Sequence, residues 1–172
     1  MAFTEREKQQ IRLFSVPDMQ PLDNGGFKVF EDETDENLKL PMGIALYNSP
    51  VNNSFYAIVG RKTGPENGYL YQYKLETGNE SVVTTLVRKF GKFSQKKEIE
   101  AIAVDAELGF VYYSDEEHFI RKYYAEPSKG NEEVACFGGE HFLRDIEGIA
   151  IAKTGEESGY LIVSDQQKGQ FN

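Results

Sequence analysis

One short pattern occurs three times in this chain, and it constrains the fold more than any other feature. Met42–Leu46 reads MGIAL, Glu100–Val104 reads EAIAV and Glu147–Ile151 reads EGIAI, so the copies begin 58 and 47 residues apart. After a turn, each is followed by a second apolar run, at Phe55–Gly60, Phe110–Ser114 and Tyr160–Ser164. The first two copies continue into a third run, Tyr69–Leu75 or Phe119–Tyr124, and then into Val82–Phe90 or Val134–Phe137. Short runs rich in β-branched and aromatic residues, bounded by turn residues, read as strands. Asn52–Ser54, Ala106–Gly109 and Thr154–Gly159 are the turn-rich connections. The first and second runs are continuously apolar, as expected for strands covered on both faces. The third alternates, which predicts Tyr69, Tyr71 and Tyr73 on one face. No segment has a capped helical period.

Four antiparallel strands recurring every ~40–50 residues describe an all-β chain of the β-propeller type, with four-stranded blades. Ile11–Val16 and Phe27–Phe30 read as the last two strands of one blade, over about 11–31. Whole blades follow at about 42–90 and 100–138, and an incomplete one at 147–172. That is about three blades, whereas closure takes four to eight. Residues 1–172 are therefore expected to be one partial propeller domain, part of a longer chain or completed by a second copy. Uncovered blade faces would favour self-association.

Charge narrows the partners. There are 28 acidic residues against 19 basic, a net charge of −9. Such a chain lacks the basic face that nucleic-acid binding needs and suits one that gathers cations. No apolar run is long enough for a membrane-spanning helix. The first residues, MAFTEREKQQIRLF, carry no secretion signal. Cys136 is the one cysteine, so neither an internal disulfide nor a thiolate zinc cage can form. It sits in an apolar strand and reads as core. His118 and His141 lack metal-ligand spacing and read as structural or exposed. The acidic run Glu31–Glu36 reads as a solvated connection. Arg88, Lys89, Lys92, Lys96 and Lys97 read as basic surface.

Several motifs resemble the β-propeller phytases, calcium-dependent phosphatases acting on inositol hexakisphosphate. The longest is Glu100–Pro127: a strand-opening Glu, then Asp105-x-Glu107-x-Gly109, an acidic cluster at Asp115–Glu117, and a Lys-aromatic strand ending in Ala125-Glu126-Pro127. Asp145-Ile-Glu147-Gly148 followed by Gly159–Gln166 is a second, and Tyr56–Gly64 a third. The resemblance runs from about Ile11 to the end and implies a six-bladed fold about twice as long as this chain. Two positions depart from the family pattern. Met42 stands where an aromatic residue is usual, and the acidic cluster reads Asp-Glu-Glu instead of Glu-Glu-Asp.

First strands of a propeller line its channel, so acids at their starts converge there. Glu100, Asp145 and Glu147 are so placed, and Asp115, Glu116 and Glu117 could join them. Converging carboxylates repel unless a cation lies between them. Oxygen-only ligands suit Ca²⁺. Glu100, Glu116, Asp145, Glu147, Asp115 and, by resemblance, Gln166 are the candidate metal ligands. Glu100 and Glu147 are the candidate catalytic pair, and Lys62 with Arg61 would bind substrate phosphate. No Gly-x-Ser-x-Gly elbow and no Walker loop occurs. The expected function is therefore calcium-dependent, metal-assisted release of phosphate from phytate or another phosphate monoester. A non-catalytic propeller interaction module, or another calcium-dependent propeller hydrolase such as a lactonase, is the alternative. The resemblance also implies a secreted or periplasmic protein.

Overall fold

A strand that is apolar on both faces has to be covered twice, and this decides how the chain is layered. The structure, a computed structural model, describes residues 1–79, 81–116, 119–139, 146–165 and 169–171. The first sheet is β1 (Ala2–Glu5), β2 (Gln10–Leu13) and β3 (Phe27–Lys28). The second is β4 (Pro41–Asn48), β5 (Phe55–Arg61), β6 (Asn67–Thr77) and β7 (Val82–Lys92). The third is β8 (Ile102–Asp105), β9 (Phe110–Asp115), β10 (Phe119–Tyr124) and β11 (Glu133–Phe137). The fourth is β12 (Ile149–Lys153), β13 (Gly159–Asp165) and β14 (Gln170–Phe171). Each is an antiparallel meander in chain order, as in the blades of a propeller. The first strands β1, β4, β8 and β12 lie beside one another in succession.

Three apolar layers fill the spaces between consecutive sheets. Ile11, Val29, Phe30, Ala57, Val59, Tyr71 and Tyr73 pack the first sheet on the second. Ile58, Leu70, Phe90, Val111, Tyr113 and Tyr123 lead the layer between second and third. Ala101, Ile120, Ile146 and Val163 form the layer between third and fourth. β5 sits in two of these layers at once, which explains its buried run from Tyr56 to Arg61. The outward faces of the end sheets show aromatic residues: Phe3 stacked on Phe14 at 5.4 Å, and Tyr160 and Phe171, which are 69% and 76% exposed.

Polar plugs tie the layers together. Arg88 donates to Gln72 Oε1 at 2.7 Å and to the carbonyls of Tyr124 and Gly130 at 2.6 Å, with its guanidinium 4.0 Å above the Phe90 ring. Burial pulls its pKa down to about 10. Arg121 pairs with Asp115 at 2.7 Å and Glu133 at 2.6 Å. Burial works against that guanidinium's charge, but the two carboxylates outweigh it and hold its pKa above the ordinary value. Asp105 closes the β8–β9 hairpin by accepting from the amides of Glu107 and Leu108, and Lys153 of the fourth sheet reaches it at 3.1 Å. The Asp-x-Glu-x-Gly stretch is thus a turn and an inter-sheet clasp.

Several expectations change. The two strands expected at the N-terminal end are β2 and β3, the last two of their sheet, and a strand the sequence did not offer, β1, precedes them with Ala2 opposite Leu13. Charged and short, Ala2–Glu5 has no strand signature of its own; pairing with β2 and a bond from Thr4 Oγ1 to the Met42 carbonyl hold it. Tyr69 falls in a different layer from Tyr71 and Tyr73, because the register of β6 on β7 shifts between Asn67 and Leu70. Cys136 is exposed, not core, since β11 is the outermost strand of its sheet. The acidic run is not simply solvated: Glu33 pairs with Arg61, Asp32 with Lys89, and Asp35 accepts from the Asn37 amide.

Two stability predictions follow from this geometry. A Cβ on Gly43 would collide with the Glu100 carbonyl, whereas one on Gly60 would meet the mobile end of Ile102 at 3.3 Å. Urea unfolding should show Gly43→Ala losing about 1–3 kcal/mol and Gly60→Ala distinctly less. Burial raises the Asp105 carboxyl, but the Leu108 amide and Lys153 outweigh it and its pKa lies below the ordinary value. Its stabilisation is complete above the unfolded-state pKa and is lost as pH falls through the folded one. Asp105→Ala should cost about 1–3 kcal/mol at pH 7, and the gap to the parent should narrow in acid.

Candidate active-site cleft

The starts of β8 and β12 open onto a cleft of about 480 Å³. Lys62, Thr63, Phe93, Gln95, Lys96, Lys97, Glu98, Glu100, Glu116 and Glu147 line it. Four of the expected site residues, Lys62, Glu100, Glu116 and Glu147, are therefore brought together from three sheets.

The same device places both strand-opening glutamates. Ser114, near the end of β9, accepts from the Ala101 amide at 3.3 Å and returns its own amide to the Ala101 carbonyl at 3.0 Å. Ser164, at the matching point of β13, accepts from the Glu147 and Gly148 amides at 3.2 and 2.9 Å and returns its amide to the Gly148 carbonyl at 3.0 Å. A hydroxyl on the second strand thus fixes the backbone beside the acid of the first. Ser114 also donates to the Ile146 carbonyl, while Glu116 Oε1 accepts the Ile146 amide at 3.2 Å. That pair of bonds sets Glu116 next to Glu147 across two sheets.

Lys62 enters from the β5–β6 connection, anchored by its amide on the Leu40 carbonyl at 2.8 Å, and its ammonium stands 3.4 Å from Glu98. Phe93 forms the wall behind it, packed on Tyr69 with ring centroids 4.4 Å apart. A neighbouring cleft of about 470 Å³ shares Glu100 and adds Thr4, Arg6, Glu7 and Met42. Arg6 therefore brings a further cation to the other side of Glu100.

Two expected residues lie elsewhere. Arg61 is fully buried. It pairs with Glu33 at 2.6 Å, donates to the Leu38 carbonyl at 3.1 Å, and lies 4.8 Å from the Phe30 ring centroid and 4.9 Å from that of Tyr71. Successive residues of an extended chain point opposite ways, so Lys62 faces the cleft because Arg61 faces the core. The same parity separates Asp115 from Glu116. Asp115 is buried, accepting from Arg121 Nε at 2.7 Å and from the Ser94 hydroxyl at 2.7 Å and amide. It anchors the loop that carries Lys96, Lys97 and Glu98. Asp145, Glu117, His118, His141 and Gln166 lie outside the described residues.

Lys96, Lys97, Glu98 and Arg6 were missed as site residues. The expected basic surface in fact divides: Arg88 plugs a layer, Lys89 and Lys92 pair with Asp32 and Glu133, and Lys96 and Lys97 line the cleft. Their nearness to Glu100 was the available signal, because a connection into a first strand has to arrive at the channel side.

Among the described residues, no three of His, Cys, Asp and Glu stand close enough to form a metal cage. The cleft carboxylates suit a hard cation in kind, since all their donors are oxygen, but the described ones alone do not complete its shell.

Comparison with known proteins gives the family. A family model described as Phytase matches residues 23–172. The chain is 31% identical over 137 residues to the 3-phytase of Bacillus subtilis (strain 168). That match takes in 78% of this chain but 34% of the relative, so the chain spans about a third of that protein's length. With the match reaching across all the sheets that build the cleft, the chain belongs to the phytase family.

Proposed function

We propose that this chain carries part of the active site of a calcium-dependent phosphomonoesterase that releases phosphate from inositol hexakisphosphate or a related phosphate monoester. The observation that carries the reading is the meeting of Glu100, Glu116 and Glu147 with Lys62, Lys96 and Lys97 in one cleft. Carboxylates alone would repel a phosphate, and lysines alone would bind it without activating water. Together they provide for both a cation and an anion.

Glu100, Glu116 and Glu147 do not form a cage among themselves; each would lend oxygen to calcium only together with other donors, of which Asp145 and Gln166 are the ones family resemblance supplies. When bound, calcium reverses the local charge and polarises the phosphorus–oxygen bonds. The residues of the chain do the rest. Lys62 binds a phosphate oxygen as a compact point charge. Lys96 and Lys97 draw the polyanion to the rim, and Arg6 extends that reach beyond Glu100. Glu100 and Glu147 hold their carboxylates towards the reacting centre, where either can accept a proton from the attacking water. Calcium-rich surroundings outside the cytosol would suit such a site.

Asp115 does not serve as a ligand in this reading. Its oxygens are taken by Arg121 and Ser94, and its part is to position the lysine-bearing loop.

Phosphate release from phytate, followed with calcium and then with a chelator, tests the reading. In a full-length form, Glu147→Gln should lower calcium-dependent release roughly tenfold or more, as removal of groups supporting a metal does. An unchanged rate and calcium dependence would remove Glu147 from the site. The exposed Tyr160 and Phe171 support a second reading, association through blade faces. Light scattering should then show species larger than a monomer; a stable monomer counts against it.

A further inference from the structure

We propose that Glu98 is an internal competitor for the anion bound at Lys62, holding the ammonium until a phosphate displaces it. The inference rests on the reading of the cleft as a phosphate site and goes on to say what tunes its affinity. Lys62 Nζ lies 3.4 Å from Glu98 Oε1, and both side chains line the cleft.

The two partners reach one another from independently fixed backbones. Lys62 is tied through its amide to the Leu40 carbonyl. The loop bearing Glu98 is tied at Ser94 to Asp115, which Arg121 holds in the core. The pair therefore belongs to the resting shape of the cleft and does not depend on one loop folding on itself.

Its strength suits exchange. The side chains are 46% and 34% exposed, so water screens the pair and it is weak. A carboxylate offers one negative charge, whereas a phosphate monoester offers up to two and three acceptor oxygens. The ammonium thus gains by trading Glu98 for phosphate. It gains little by trading it for another carboxylate, so Glu98 biases the cleft towards the more highly charged ligand. Glu98 also repels every arriving anion until it turns away.

The 172-residue chain should be titrated calorimetrically at low ionic strength with inorganic phosphate and with inositol hexakisphosphate. Glu98→Gln is expected to bind inorganic phosphate about two- to fivefold more tightly, the range an exposed pair supplies. Glu76→Gln makes the same change in net charge beside Lys74, away from the cleft, and should leave binding unaltered. In a Lys62→Gln background the gain from Glu98→Gln should largely disappear. The proposal is overturned if Glu98→Gln binds no tighter, if Glu76→Gln gains as much, or if the gain survives intact without Lys62. Binding by the parent with no response to Glu98→Gln removes this inference alone. Absence of binding in every form removes the phosphate reading of the cleft and this inference with it.

Discussion

Two apolar faces on one sheet are the constraint from which the rest of this structure follows. No such sheet can stand in water alone, so the second and third are sandwiched between neighbours, and the chain becomes a series of layers. β5 shows this most clearly, buried from Tyr56 to Arg61 by a neighbour on either side. Layering brings the first strands together at one side, close enough that Gly43 has no room for a side chain beside Glu100. Convergence of the first strands is also what gathers the acids. The cleft is therefore a by-product of how the sheets cover one another.

Polar groups inside the layers do different work from those in the cleft. Arg61, Arg88 and Arg121 are each held by carboxylates, carbonyls or side-chain amides, and Arg61 and Arg88 also lie over aromatic rings. Arg61 and Arg88 reach from their own sheet to groups beyond it and fix that relation, because a slip would leave the charge unpaired in a dry place, whereas Arg121 braces the strands of its own sheet. Lys62, Lys96 and Lys97 line the open cleft, where a charge is able to change partners.

Much of this was legible beforehand because it repeats. A pattern that recurs three times, followed each time by a second apolar run, identifies strands without any knowledge of their neighbours. β10 coincides with Phe119–Tyr124 as read from the chain, and β11 differs by a single residue. Glu100 and Glu147 could be singled out for the same reason: they open equivalent strands. Ala2–Glu5 could not, since its strand character comes from Leu13 and Met42 and not from its own residues.

Side-chain direction and long-range pairing set the limit. Local composition made Arg61 a companion to Lys62, and Asp115 a companion to Glu116. Strand parity sends the members of each pair to opposite sides, and only the packed sheets determine which side is core. Likewise the sequence counts Lys96, Lys97 and Glu98 among ordinary charges of a loop. Their place in the cleft depends on Asp115 holding Ser94, a bond across 21 residues of chain. The sequence by itself determined the strands, their order and the acids that open them, because periodicity and composition are local. The tertiary structure decided which charges are buried and which meet in the cleft, because those depend on contacts between sheets.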